Sequence, residues 1–446
     1  MKKITLILAA FALLFSAQTM SAQFSGGNGT EANPYLISTK ADLEAIGNSA
    51  FLEAGTAGLY FEQTADIDLG GEATPWEPIS HFSDSSFKGT YNGNGKKITN
   101  IYINTTGASD GQQEYFGLFG VVGVGAVIQD VHIVGGSITV TENGGSVYAA
   151  GVVGRVNGND VWILNCSNSA NVTSTANSGA AGGIVGRIDG DGGIVFSSYN
   201  TGNVSSGQYT GGIVGRGYAG SATIQDCYSV GNISSTGSDS PYAGGIAGYV
   251  YTSGTSTAPS FYTVEKCYAA GTVACPAGTA AGIVGRATND AQVIVLHNVA
   301  LQTSLDGKGK GIIGGNVNTG TTDNYSISTI LIDGAAKSAT TAAHGLDVTP
   351  EDAKTKLFYE TILDWDFTDD WTIVEGVSYP TLQANPVISA GTGINRVNVE
   401  NGAIVAQKYY NLQGIEVSAS ATGVIIVKNI HASGAVSSTK ELKLAK

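Results

Sequence analysis

The sequence predicts an all-β protein, a right-handed parallel β-helix with capping segments followed by a small C-terminal antiparallel β-sandwich. Three observations predict it. The phrase Gly183-Ile184-Val185-Gly186-Arg187 has relatives starting at Gly117, Gly151, Gly212, Gly245, Gly282 and, more loosely, Gly311, spaced 29 to 37 residues apart. A second phrase, Cys166-Ser167-Asn168-Ser169-Ala170-Asn171-Val172, returns at a steady offset over 198–204, 227–233 and 267–273. Each period holds short Ile- and Val-rich runs separated by Gly, Asn, Asp and Ser, which is strand and turn punctuation with no stripe at helical spacing. A period of this length is one supersecondary unit stacked on copies of itself. Three short strands and three turns in about 30 residues make one coil, whose strands pair with the next coil about 4.8 Å away. A right-handed wind is the default for parallel crossovers, and seven coils give a rod roughly 34 Å long.

Taken in order, Met1-Lys2-Lys3, the apolar run 4–15 and the small, polar stretch 16–23 read as a secretory signal peptide. Its apolar core is too short for a permanent membrane span. The first Cys is Cys166, far from the cleavage region, so lipid anchoring through an N-terminal Cys is not expected. Residues 24–100 read as an N-terminal cap and first coils, with Ser38 or Thr39 capping a short helix from near Ala41. The repeats occupy 101–335. Over 336–385, Asp364-Trp365-Asp366-Phe367, Trp371 and Tyr379 bring large aromatics that fit a C-terminal cap over the open end of the core. A linker at 386–393 leads to a separate unit at 394–446, with strands near 403–410, 415–417, 424–428 and 441–444.

Composition narrows the partners. The 446 residues are 42% hydrophobic and only 13% charged, with 63 Gly, which supplies a long core and rules out disorder. Formal charge is −14 before any leader is removed. That balance argues against nucleic acid and anionic membrane surfaces, both of which are held by clustered Lys and Arg. Of the four Cys (166, 227, 267 and 275), three share a repeat position. They read as small apolar residues filling one core column, with a Cys227–Cys267 bridge open as an alternative after export.

The ordered motifs "GTEANPYLIST", "ADIDL", "FKGTYNGNGKKI", "GLFG" and repeated "GGIVGR … CYSVGNI" make residues 26–385 similar to the GLUG-repeat region of secreted bacterial surface proteins, adhesins and the non-catalytic part of immunoglobulin A peptidases. The resemblance implies a β-helical surface or adhesion module without catalytic residues of its own. The tail, "YYNLQGIEV … GVIIVKN … STKELKL", resembles C-terminal domains of Bacteroidetes secreted proteins, including type IX secretion sorting signals, with Ile425 where those often have Tyr. It implies export to the surface of a Gram-negative bacterium and contact of 394–446 with outer-membrane secretion or attachment machinery; a plain structural tail stays open beside it.

Arginine gives the sharpest chemical signal. Of five, Arg155, Arg187, Arg216 and Arg286 follow the repeated Gly, with Tyr249 in the intervening copy. Alternation places Ile184, Gly186 and Ile188 inward and Val185 with Arg187 outward. Stacked like charges repel by about 1 kcal/mol per pair even in water, so something offsets them. One reading is that each Arg pins its coil through turn carbonyls or carboxylates; the other is a column gripping an acidic glycan or a partner's carboxylates. Tyr148, Tyr209 and Tyr242 share another repeat position and offer sugar-stacking faces or plain packing.

Enzyme signatures are weak. The five His (81, 132, 297, 344 and 431) form no zinc pattern, and the GxGxxG matches at 215–220 and 309–314 lie inside repeats. Asp66 with Asp68, and Asp189 with Asp191, read as turn formers before calcium ligands. No metal or cofactor is expected. The function expected is non-catalytic surface binding of glycan or extracellular protein. A β-helical polysaccharide lyase or hydrolase, with carboxylates assembled across coils, and a passive spacer are the alternatives.

Overall fold

The structure, a computed structural model, describes residues 23–383 apart from 49–51, 53–54, 82–84, 108–111, 219, 253–260, 289–292, 316–320 and 338–339, together with four strands between 404 and 443. The expected leader, except for residue 23, and the whole expected linker lie outside the described residues. The chain divides into two units, 1–383 and 384–446.

The first unit is a parallel solenoid. One coil runs Trp162–Leu164, then Ser167–Asn168 with Asn171–Ser174, then Gly179–Gly182, then Val185–Asp189, and the next resumes at Gly193–Phe196. All four faces pair in parallel and in register, as in Trp162 with Ile194, Val172 with Val204, Ala180 with Tyr209 and Arg187 with Arg216. The first face has ten strands, from Tyr35–Ile37 to Thr321–Thr322, so the stack is ~43 Å long, with coils beginning earlier than the regular repeats. At its start, the expected helix forms over Lys40–Ile46, with Thr39 and Asp42 closing a capping box.

Four faces replace the three strands expected per coil because the glycine phrase contains a corner. A Cβ on Gly182 would lie 1.9 Å from the Val185 carbonyl oxygen, and one on Gly183 2.2 Å from that of Gly212. The chain can turn there only without side chains, which splits an apparently continuous apolar run into two strands. Gly183 also faces the Asn200 side chain, 2.4 Å from where its Cβ would sit, and Gly151 faces Asn168 in the same way. The buried Asn168 and Asn200 form a ladder, Asn168 Nδ2 donating to Asn200 Oδ1 at 2.9 Å. The two sequence phrases keep phase because glycine in one makes room for asparagine in the other.

Strict alternation also fails at Gly186. Val185 lies in the main core with Ile184 and Ile188, not outward with Arg187. A Cβ on Gly186 would lie 2.6 Å from Gly154 O, and the ladder pairs Val153 with Val185 and Arg155 with Arg187 but skips the glycines between. The local irregularity lets two successive residues reach the core.

The cysteine column is polar in function. The corner after the first face is an αL residue in coil after coil (Asp130, Asn165, Ser197, Asp226, Lys266, His297, Asp323). The following N–H has no ladder partner and is met by a side chain from the next coil. Cys166 N donates to Ser198 Oγ, Ser198 N to Cys227 Sγ, Cys267 N to Asn298 Oδ1 and Asn298 N to Asn324 Oδ1. Cys, Ser and Asn alternate because each supplies an acceptor there. All four Cys are free and buried, burial pushes the Cys166 and Cys267 thiols well up, and no Cys227–Cys267 bridge is present.

Of residues 336–385, expected to cover the end of the core, 341–345 lie against the last coil, whereas 352–383 run along the side of the core. Trp371 packs on the stacked Tyr228 and Tyr268 and donates Nε1 to Asp226, Trp365 donates to His297 O, and Phe358 packs on Tyr325. A second tyrosine column (Tyr199, Tyr228, Tyr268), stacked within 3° of parallel, provides that docking surface; end-capping falls partly to the 341–345 turn, whose Ala343 O accepts from Ile312 and Ile313.

Under this strap, burial raises the Glu265 carboxyl to about 7, with Asp226 adding repulsion and Lys266 partly opposing both. A carboxyl raised in the fold is stabilising below its unfolded value of 4.5 and progressively destabilising up to about 7. We expect stability to fall between those pH values by up to about 3 kcal/mol, and Glu265→Gln to flatten the decline, read by urea unfolding at pH 5 and pH 8.

In the second unit the described strands form one antiparallel sheet, ordered Glu416–Val417, Ile404–Tyr410, Gly423–His431, Val436–Lys443. The last two strands make a longer hairpin than the sequence signals mark. A single sheet is described where a sandwich is expected.

Candidate binding face

The four arginines and the tyrosines lie together outside the main core, on the third and fourth faces. The tyrosine column reads Tyr115, Tyr148, Ala180, Tyr209, Tyr242, Thr279 in successive coils. The arginine column beside it reads Val121, Arg155, Arg187, Arg216, Tyr249, Arg286. Two residues further along, a third column holds Asn157, Asp189, Tyr218, Tyr251 and Thr288. Arginine is thus flanked on both sides.

The N-terminal half is closed and internally satisfied. Arg155 Nε lies 2.7 Å and Arg187 Nε 2.8 Å from the Asp189 carboxylate. Their Nη1 atoms donate to Tyr115 and Tyr148 hydroxyls at 2.7 and 2.8 Å, and each guanidinium lies over that same ring. Tyr148 is 1% and Arg187 7% exposed. Asp189 therefore offsets the repulsion between the two cations, and Arg155, Arg187 and Tyr148 are structural parts of the wall. Tyr148 presents no sugar-stacking face: it is covered because Ala180, its small neighbour in the column, lets Arg187 fold over it.

The C-terminal half is different. Arg216 sits among Tyr209, Tyr218 and Tyr249, its Cζ 5.3, 4.5 and 5.7 Å from their ring centres. Among the described residues its Nε is buried without a hydrogen-bond acceptor, and its one polar contact is a long 3.4 Å bond to Tyr148 Oη. Arg286 lies over Tyr242 and donates to that hydroxyl. Among the described residues neither has a carboxylate within ion-pair reach. Tyr209, Tyr242, Tyr249 and Tyr251 are half-buried and Tyr218 exposed. Tyr209 stacks on Tyr242 at 5.8 Å and Tyr218 on Tyr251 at 5.3 Å, making two aromatic walls. Each cation–π contact contributes about 0.5–2 kcal/mol, which holds the guanidiniums in place without supplying a counter-charge.

Sequence reasoning did not single out Tyr115, Tyr218 or Tyr251. The available signal was position, two residues after the arginine column or one coil before the first Tyr. The Asp residues weighed for calcium are otherwise engaged: Asp189 pairs with two arginines, Asp191 accepts from Ser221 N, Asp66 from Lys97 N, and Asp68 from Asn100 and Gly70. No cluster of three or more metal-ligating side chains occurs among the described residues.

No family model matches the chain. Over 167 residues it is 36% identical to a Gly-rich membrane protein of Evansella cellulosilytica, covering 36% of this chain and 17% of that protein. Over 149 residues it is 34% identical to halomucin of Haloquadratum walsbyi, covering 30% of this chain and 2% of halomucin. The chain therefore spans a small part of the curated relatives it matches. Among solved structures it is similar to a candidate immunoglobulin A1 protease from Bacteroides ovatus, at TM-score 0.54 and 22% identity, over 81% of this chain and 96% of that one. At that identity the likeness shows the β-solenoid fold alone.

Proposed function

We propose that this chain is a surface-associated binding protein of the GLUG-repeat type, exported by its N-terminal leader, with a C-terminal sorting or attachment unit. Its solenoid recognises an anionic ligand, glycan or extracellular protein, at the open half of the arginine–tyrosine face. One observation carries the reading: Arg216 is fixed in a tyrosine cage with its charge unpaired and its Nε without an acceptor. A scaffold needing only coil pinning would place a carboxylate there, as Asp189 does for Arg155 and Arg187. Names of the relatives, a Gly-rich membrane protein and halomucin, agree with a surface location.

Catalysis has less support. The two acids with strongly raised pKa, Asp130 and Glu265, are buried at solenoid corners, where Asp130 accepts from Asn165. Glu265 has Asp226 as its acidic neighbour, and that carboxylate is buried too and accepts from Trp371 Nε1. The test is an array of glycans and extracellular matrix proteins probed with the full chain and with Arg216→Ala/Arg286→Ala. Anionic ligands are expected to bind, with at least 10-fold weakening in the double variant. Equal binding by both proteins would refute the site.

A further inference from the structure

Resting on that reading, we infer that the open half of the face takes a linear acidic polysaccharide laid along the solenoid axis, Arg216 and Arg286 holding the anionic groups of alternate sugars. The spacing argues for it. Arg216, Tyr249 and Arg286 are in-register neighbours in three successive coils, so the two cations stand two coil spacings apart, ~10 Å, about the length of a disaccharide. Between them the column presents a neutral group, Tyr249, whose hydroxyl is bonded to Thr288 at 2.9 Å. A chain whose carboxylate or sulfate recurs on every second sugar meets charge with charge and neutral ring with neutral ring.

The surroundings set direction and limits. The Tyr209–Tyr242 and Tyr218–Tyr251 stacks join rings of successive coils on either side of the arginine column, so the aromatic surface beside the cations follows the solenoid axis. Towards the N-terminus Asp189 occupies the third column between Asn157 and Tyr218 and engages the Nε atoms of both Arg155 and Arg187, so those donors are already taken and are not offered to a further anionic group. An acidic peptide fits less well. Same-side residues of an extended peptide recur about every 7 Å, and the backbone of these strands is committed to neighbouring coils, so no sheet edge is offered.

The test is calorimetric titration of the full chain with a hyaluronan hexasaccharide, its disaccharide, a hexagalacturonate with a carboxylate on every sugar, neutral maltohexaose and a hexaglutamate peptide. The hyaluronan hexasaccharide is expected to bind at least 10-fold more tightly than each of the others. Arg216→Gln and Arg286→Gln should each weaken it at least 10-fold and remove the advantage of length, with unchanged circular dichroism. Equal affinity for disaccharide and hexasaccharide, or equal or tighter binding of the galacturonate or the peptide, overturns the axial, alternating mode. The anion site itself survives such a result if the two substitutions still weaken binding. No response to any acidic probe sinks both readings. If one substitution perturbs the fold, the other decides, since the two arginines lie in different coils.

Discussion

Asn298→Leu is expected to lower stability by about 4 kcal/mol, among the largest effects of any near-isosteric change in the solenoid. The side chain is fully buried and joins three coils. Its Oδ1 accepts from Cys267 N at 3.0 Å, and its Nδ2 donates at 2.9 Å to Val264 O, Leu296 O and Asn324 Oδ1. Leucine fills the volume but leaves one N–H and several acceptors without partners, at about 1–3 kcal/mol for each group truly stranded. Because a solenoid is stabilised coil by coil, the loss should be local. Amide exchange should accelerate most in 262–300, together with a lower urea midpoint. Cys227→Ser is the contrast: Ser198 already does the same work one coil away, so the change should stay within about 1 kcal/mol.

Gly183→Ala should cost about 3 kcal/mol, the upper end of what overpacking does when backbone must move. The new methyl would stand 2.2 Å from Gly212 O and 2.4 Å from Asn200 Cγ, in a corner tied to the coils on both sides. Neither neighbour is a flexible side-chain end. Gly125→Ala serves as the control. Its φ of +73° is unfavourable for alanine, yet nothing lies within 4 Å, so only about 1 kcal/mol of backbone strain is expected. A difference between the two in urea unfolding separates steric exclusion at the corner from glycine conformation as such. Similar losses for both would mean that the corner has room.

The periodic phrases made the solenoid legible, since glycine and aliphatic residues in phase admit few other folds. The sequence does not display why they keep phase: Gly183 faces Asn200 across the interior, a contact between residues that neither phrase alone brings together. Reading Cys166, Cys227 and Cys267 as small residues filling one core column placed them correctly, free and buried in the main core, but missed their polar role for a similar reason. What they share with Ser198, Asn298 and Asn324 is an acceptor atom, and only the unpaired corner N–H reveals the need for one. The aromatic segment was visible but its place was not, because a strap along the side and a cap over the end ask for the same residues. In the arginine column, spacing identified the four members, while the division into a half paired to a carboxylate and a half without one depends on which coil carries Asp189 and which carries Tyr218. A one-residue difference in an otherwise repeated unit separates wall from site.

That division is tested most directly by urea midpoints of Arg187→Met and Arg216→Met. Arg187→Met should lose about 2–3 kcal/mol, because Tyr148 Oη and one side of Asp189 are left without their buried donor. Arg216→Met should lose no more than about 1 kcal/mol, since sulfur–aromatic contacts replace much of the cation–π attraction and the buried Nε without an acceptor is removed. Comparable losses for the two would place Arg216 in the structural wall with Arg187 and contradict the assignment of the open half as a binding site.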